Sequence, residues 1–191
     1  YKWGETKLSA SKEEENLAKN DDENRSSGSS IDGIICLKRL NLDLLILEIS
    51  GPMWKEDFTH YLKDRQKIAK NLKKMMKSIL RQKLVMAEAK DLMLFGMQLY
   101  KNTIHLYCLT MPIIGFYCFV EVMSYPIPTN PATYPKDLPR YVKNLFKTLK
   151  LVIHGADVLQ RYMTSFEYYS SDETISDDNS PLSPPFISPQ K

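Results

Sequence analysis

The spacing of apolar positions along the chain changes several times, and each change marks an element. Residues 1–30 are mostly polar. "SASKEEENLAKNDDEN" reads as a short helix capped by Ser9 or Ser11 with acids in its first turn, and "RSSGSS" reads as a flexible connector. "IDGIICL" (31–37) and "LDLLILEIS" (42–50) read as strands, and the short turn at 38–41 joins them as an antiparallel hairpin. The second strand is apolar at nearly every position, so it is predicted to be central and buried on both faces.

After "SGP" the period becomes helical. Phe58, Leu62, Ile68, Leu72, Met75 and Ile79 recur at helix spacing from about 54 to 82, opposite a row of lysines. Two β-rich runs in 92–111 meet at Lys101-Asn102, a two-residue hairpin loop in which Asn tolerates positive φ. "IIGFYCFVEVMSYPIP" (113–128) supplies a fifth strand. A proline-punctuated loop then leads to a last helix over about 138–163, which Gly155 bends or divides.

Residues 165–191 have no period and are rich in Ser, Pro and Asp. They are predicted to be disordered, with Ser180, Ser183 and Ser188 as proline-directed phosphorylation candidates. The expectation is therefore a polar N-terminal segment (1–30), one domain (31–164) and a tail (165–191). The domain is mixed α/β or α+β, with about five strands in a mixed sheet flanked by helices.

Charge sharpens this picture in one place. Residues 55–83 hold ten Lys/Arg against three Asp/Glu, whereas 170–191 hold four acids against Lys191. The basic stripe, with Lys63, Lys67, Lys70 and Lys74 along it, reads either as a solvated face or as a contact surface for nucleic-acid phosphates. Cys36, Cys108 and Cys118 are odd in number and lie in apolar runs, which suits buried thiols of an intracellular protein of nucleus or cytoplasm. No leader is visible. The apolar stretch 104–123 is broken by Pro112, Gly115 and Glu121, so it is predicted to be two strands around a turn and no membrane span.

The chemistry centres on Asp32 and Glu48. A carboxylate between Leu47 and Ile49 is costly to bury unless a cation faces it. Two readings stand: a salt bridge to a helix lysine, or a Mg2+ or Mn2+ ion held by Asp32 and Glu48 with waters or phosphate oxygens completing its shell. Asp32, before Gly33, reads equally as a turn residue. His60 reads as a surface or capping residue, and His105 and His154 as core histidines. Nucleotide-binding and serine-hydrolase motifs are absent from the sequence.

Asp32 in "SIDG", then Glu48-x-Ser50 at the end of an apolar strand, resembles the PD-(D/E)XK restriction-endonuclease-like nuclease superfamily. The chain also resembles a divergent group of uncharacterised proteins of early-diverging fungi. That group shares a strand ending in Glu-x-Ser-Gly and a helix patterned His-x-x-x-Asp-x-x-Lys, here His60, Asp64 and Lys67. The resemblance implies metal-dependent phosphodiester hydrolysis, with Asp32 and Glu48 as metal ligands and an acid on the first helix (Glu5, Glu13, Glu14 or Glu15) joining them. The superfamily's lysine falls on Ser50, so Lys67 or Lys63 would have to supply that charge from the following helix. The competing expectation is a non-enzymatic interaction protein that uses the basic helix and a phosphorylatable tail.

Overall fold

The computed structural model describes residues 1–170 except 18, 21–22, 53 and 83–87, and leaves the side chains of 166–170 undescribed. The strands are β1 (Lys2–Lys7), β2 (Ser30–Leu37), β3 (Leu42–Ile49), β4 (Met93–Tyr100), β5 (Thr103–Ile113) and β6 (Phe116–Pro126). The helices are α1 (Ser9–Leu17), α2 (Phe58–Gln82) and α3 (Tyr134–Ser170). The strands form one sheet in the order β1-β2-β3-β4-β5-β6. The β3–β4 pair is parallel and every other pair antiparallel. A parallel pair needs a crossover, and α2 provides it.

The mixed α+β sheet appears as expected, with β3 inside it, and it has six strands where about five are predicted. The extra one is β1. Residues 1–30 therefore belong to the domain: β1 pairs with β2, and α1 lies on α2 through Lys74–Glu15 (2.6 Å), Lys77–Glu14 (2.7 Å) and Arg81–Glu14. "RSSGSS" is not a loose connector either. Ser26 and Ser29 bond to Glu15 and Ser11, and Gly28, at φ +83°, presses so closely on Leu8 and Lys12 that no side chain fits. Ser11 is not a cap, and the first turn of α1 carries no acid.

The three hairpins use left-handed residues, Asn41 (φ 51°) between β2 and β3, Lys101 (φ 52°) between β4 and β5, and Gly115 (φ 80°) between β5 and β6. In the second loop the strained position is thus Lys101 and not Asn102. α2 packs on one sheet face, burying Ile68, Leu72, Met75, Met76 and Ile79. It sits so low over β4 that a Cβ on Gly96 would lie 2.2 Å from Ile68 Cγ2.

α3 packs on the other face. Gly155 neither bends nor divides it: the helix runs through, and the missing Cβ admits the Phe95 ring, whose Cε2 would lie 2.5 Å from one. The helix also begins before 138 and continues past 164, so 165–170 are helical rather than disordered. The remainder of the tail expected to be disordered, with Ser180, Ser183 and Ser188, lies outside the described residues. Residues 104–123 form strands as expected, and no helix among the described residues is long and apolar enough to cross a membrane.

Candidate functional site

The parallel pair β3–β4 ends beneath the first half of α2, and polar side chains collect there. Register fixes which ones. Ile46 and Gly96 are partners, as are Glu48 and Gln98, so these even-numbered residues share the α2 face while Leu45 and Phe95 face α3. Beyond Glu48 the Ser50 amide bonds Leu99 O at 2.8 Å, and Gly51 at φ 76° turns the chain away. α2 starts at Phe58 and not near 54 because Asp57 caps it, its Oδ1 accepting from the His60 amide at 2.8 Å. The inward face of that first turn is Tyr61 and Asp64, while Phe58 and Leu62 are exposed. This end of the helix covers polar groups instead of core.

Glu48 is 3% exposed. The Lys67 ammonium lies 2.8 Å from its Oε1 and 2.9 Å from its Oε2, and it hydrogen-bonds the second; Oε1 is buried without a hydrogen bond. Burial pushes the Glu48 carboxyl up to about 7. Lys67 works against that rise, and the negative charges of Asp32 and Asp64 add to it. Asp32 stands on β2, one step beyond the Gly33–Leu47 pair, and its Oδ2 accepts from the Ile49 amide at 2.7 Å. Asp32 is thus a strand residue and not the turn residue expected, although it does accept a backbone hydrogen bond, and its charge acts on Glu48 from the neighbouring strand.

A second chain of bonds runs beside this pair. Ser50 Oγ donates to Asp64 Oδ2 at 2.7 Å, and His60 Nε2 lies 3.1 Å from the same oxygen. Gln98, fully buried, donates through Nε2 to Ser50 Oγ (2.7 Å) and to Tyr61 O (2.8 Å), and its Oε1 accepts from the Tyr107 hydroxyl (3.0 Å). Tyr107 and Tyr61 hydroxyls meet at 3.1 Å. Replacing Tyr107 by Phe removes the donor to a buried amide oxygen, and the expected cost is about 1–3 kcal/mol by urea denaturation. An unchanged midpoint would mean the network is slack.

The lysine row divides. Lys63 and Lys70 are exposed and make no ion pair among the described residues, whereas Lys74 is held by Glu15 (2.6 Å) and Ser11 (3.1 Å). With Lys67, Gln66, Asn71 and Ser29 they line a shallow groove of about 320 Å³ beside the Glu48 pair. Glu13, Glu14 and Glu15 face the far half of α2, at Ser78, Lys77, Arg81 and Lys74, so none of them joins the site. His105 pairs with Glu121 at 3.3 Å and lies against the Tyr61 ring. His154 is exposed on α3 and is not a core histidine.

Among the described residues no three His, Cys, Asp or Glu side chains are grouped to hold a metal. The oxygen donors near one another are the Glu48 carboxylate, whose Oε1 lies without a hydrogen bond but 2.8 Å from the Lys67 ammonium, and the Asp32 carboxylate on the neighbouring strand. Two hard oxygen donors fit Mg2+, which keeps several waters and binds through one or two carboxylates plus phosphate oxygens.

Sequence reasoning missed Gln98, Tyr61 and Tyr107. Gln98 carried a signal: like Glu48, it is a polar residue inside an apolar strand. Compared with protein families, curated proteins and solved structures, the chain matches none.

Proposed function

We propose that the chain carries a divergent nuclease-like site of the PD-(D/E)XK kind, directed at the phosphodiester backbone of nucleic acid and dependent on Mg2+ or Mn2+. The observation that carries this reading is Lys67: from α2 it brings an ammonium within 2.8 Å of Glu48, the charge that Ser50 does not supply. Glu48 and Asp32 are the ligands of the ion. When bound, the ion polarises the phosphodiester and makes its water acidic. Lys67 contributes a fixed positive charge toward the charge that develops on phosphate. Lys63 and Lys70 take flanking phosphates, with Lys74 a lesser contributor because Glu15 holds it. Ser50, Asp64 and His60 brace the strand end against the helix. The free thiols Cys36, Cys108 and Cys118 support a reducing, intracellular setting.

One observation favours a second reading, an interaction protein that binds without cleaving: Asp32 and Glu48 both already have partners within the fold. Cleavage of plasmid DNA and of RNA with Mg2+ or Mn2+ separates the two. The nuclease reading expects cleavage by the wild type, a loss on the order of 10²-fold or more in Glu48→Gln and in Lys67→Ala, and retained binding in Glu48→Gln. No cleavage by the wild type, with no divalent-dependent rise in Tm, leaves the binding reading. Salt-sensitive binding that vanishes when Lys63 and Lys70 are neutralised would then identify its surface.

A further inference from the structure

α3 carries an uncovered apolar stripe. Leu138, Val142, Leu145, Phe146, Leu149 and Ile153 are each between 38% and 60% exposed, at positions that repeat like the a, d and e places of a heptad. The buried residues Thr148, Leu159 and Tyr162 of the same helix lie a quarter turn or more away, and Val152, one heptad after Leu145, is where the stripe passes into cover. The other flank, with His154, Val158 and Arg161, lines a pocket together with Thr110 of β5. The stripe therefore looks the opposite way, toward β3, β2 and β1.

On that side part of the sheet is open among the described residues. Trp3, Gly33 and Leu47 share a face, and by register so do Ile35, Leu45 and Phe95, the face on which α3 lies through Gly155. Trp3 is 68% exposed, Ile35 42% and Ile49 39%, whereas Ile34 and Ile46 on the α2 face are fully buried. Floor and wall make an apolar corner. Its nine side chains leave on the order of 800 Å² open, more than the few hundred Å² usual on a monomer. That area is about one partner's share of a standard interface.

The geometry points to a second copy of this chain as the occupant, with the α3 stripe of each copy packed in the corner of the other about a two-fold axis. Charge selects this partner. The stripe holds no charged residue, and the helix's cations, Lys136, Arg140, Lys143, Lys147 and Lys150, fall at the b and f places outside the seam. Self-association therefore brings no like charges together across the contact, and an acidic partner would find its counter-charges on the wrong side of the helix. A closed two-fold also covers both corners at once, which a head-to-tail contact does not.

Sedimentation or light scattering on the full chain at tens of micromolar tests this. A mass of twice 22.1 kDa is expected for the wild type and for Lys147→Glu, at the outer f place, and a monomer for Leu149→Glu and Phe146→Glu. Far-UV spectra and Tm of the monomeric variants, read against dilute wild type, establish that they still fold. A second pair, Trp3→Lys and Ile35→Lys on the floor, should also dissociate the dimer, so the proposal does not depend on α3 tolerating a charge. A monomeric wild type overturns the proposal, as does a dimer that survives Phe146→Glu and Leu149→Glu together. A wild type that becomes dimeric only when residues 171–191 are removed overturns it too, because the chain's own C-terminal segment is then the occupant.

Discussion

Replacing Glu48 by glutamine should stabilise the fold by roughly 3 kcal/mol at pH 8 and change it little at pH 4.5. The sign follows from the direction in which burial moves the carboxyl. It titrates near 4.5 when the chain is unfolded and at about 7 when folded. Between those values the native state holds a proton that the unfolded state has released, so stability is greatest below the unfolded value. It is lost as pH rises through the folded one, by about 1.4 kcal/mol for each pH unit that separates the two. Glutamine mimics the protonated acid at every pH and removes that loss. Lys67→Met should act in the opposite direction with the same pH dependence. It should be nearly neutral at pH 5, where Glu48 is already protonated, and cost about 1.4 kcal/mol at pH 8. The cost is capped because the carboxyl escapes by taking a proton. Urea denaturation across pH 4.5–9 measures both variants. A wild-type profile flat in that range, or a Glu48→Gln protein less stable at pH 8, would show that the Lys67 pair outweighs the desolvation of Glu48. The expected result is the one a working site implies, since an acid kept where it destabilises the fold is retained for something other than folding.

What was legible in the sequence follows from how much burial each element enforces. β3 announced itself because most of both its faces is covered, so six of the eight positions from Leu42 to Ile49 are apolar and the acids Asp43 and Glu48 stand out. α2 was legible from Ile68 onward, where the helix lies on core. Its first turns misled because Tyr61 and Asp64 turn toward a polar site and Phe58 toward solvent. β1 left no period: it is an edge strand whose residues are nearly all exposed, and the pairing that makes it a strand is backbone to backbone. The lysine row was visible, but its division was not. Which cations are taken up by α1 depends on where Glu14 and Glu15 arrive from sixty residues away. That a cation would face Glu48 came from chemistry, because a buried acid demands one nearby, whereas the choice of Lys67 or Lys63 came from the resemblance. Gln98 and Tyr107 did not come with it, since their bonds run across strands whose order no local pattern reveals.

Gly96→Ala should cost about 2–3 kcal/mol, a fall in Tm of several degrees for a chain of this size. The new methyl would stand 2.2 Å from Ile68 Cγ2 and 3.4 Å from Leu72 Cδ1. Ile68 cannot step aside, because it is fully buried and a β-branched side chain on a helix keeps one χ1 rotamer. Relief therefore has to come from α2 rising off the sheet as a body. Ile68→Ala alone should cost about 2–5 kcal/mol through the cavity it leaves, but in the Gly96→Ala background the methyl enters that cavity. The double variant should thus be more stable than the sum of the single changes by at least 1 kcal/mol, which a double-mutant cycle reads directly. Additive costs would mean the sheet yields instead of the helix. The same contact sets the height of Lys67, the neighbour of Ile68, over Glu48. Raising α2 weakens the ammonium's hold on the acid, so the pH at which Gly96→Ala loses stability should lie above that of the wild type. The close approach of a helix to a bare glycine is in this way what holds a cation over the buried carboxylate.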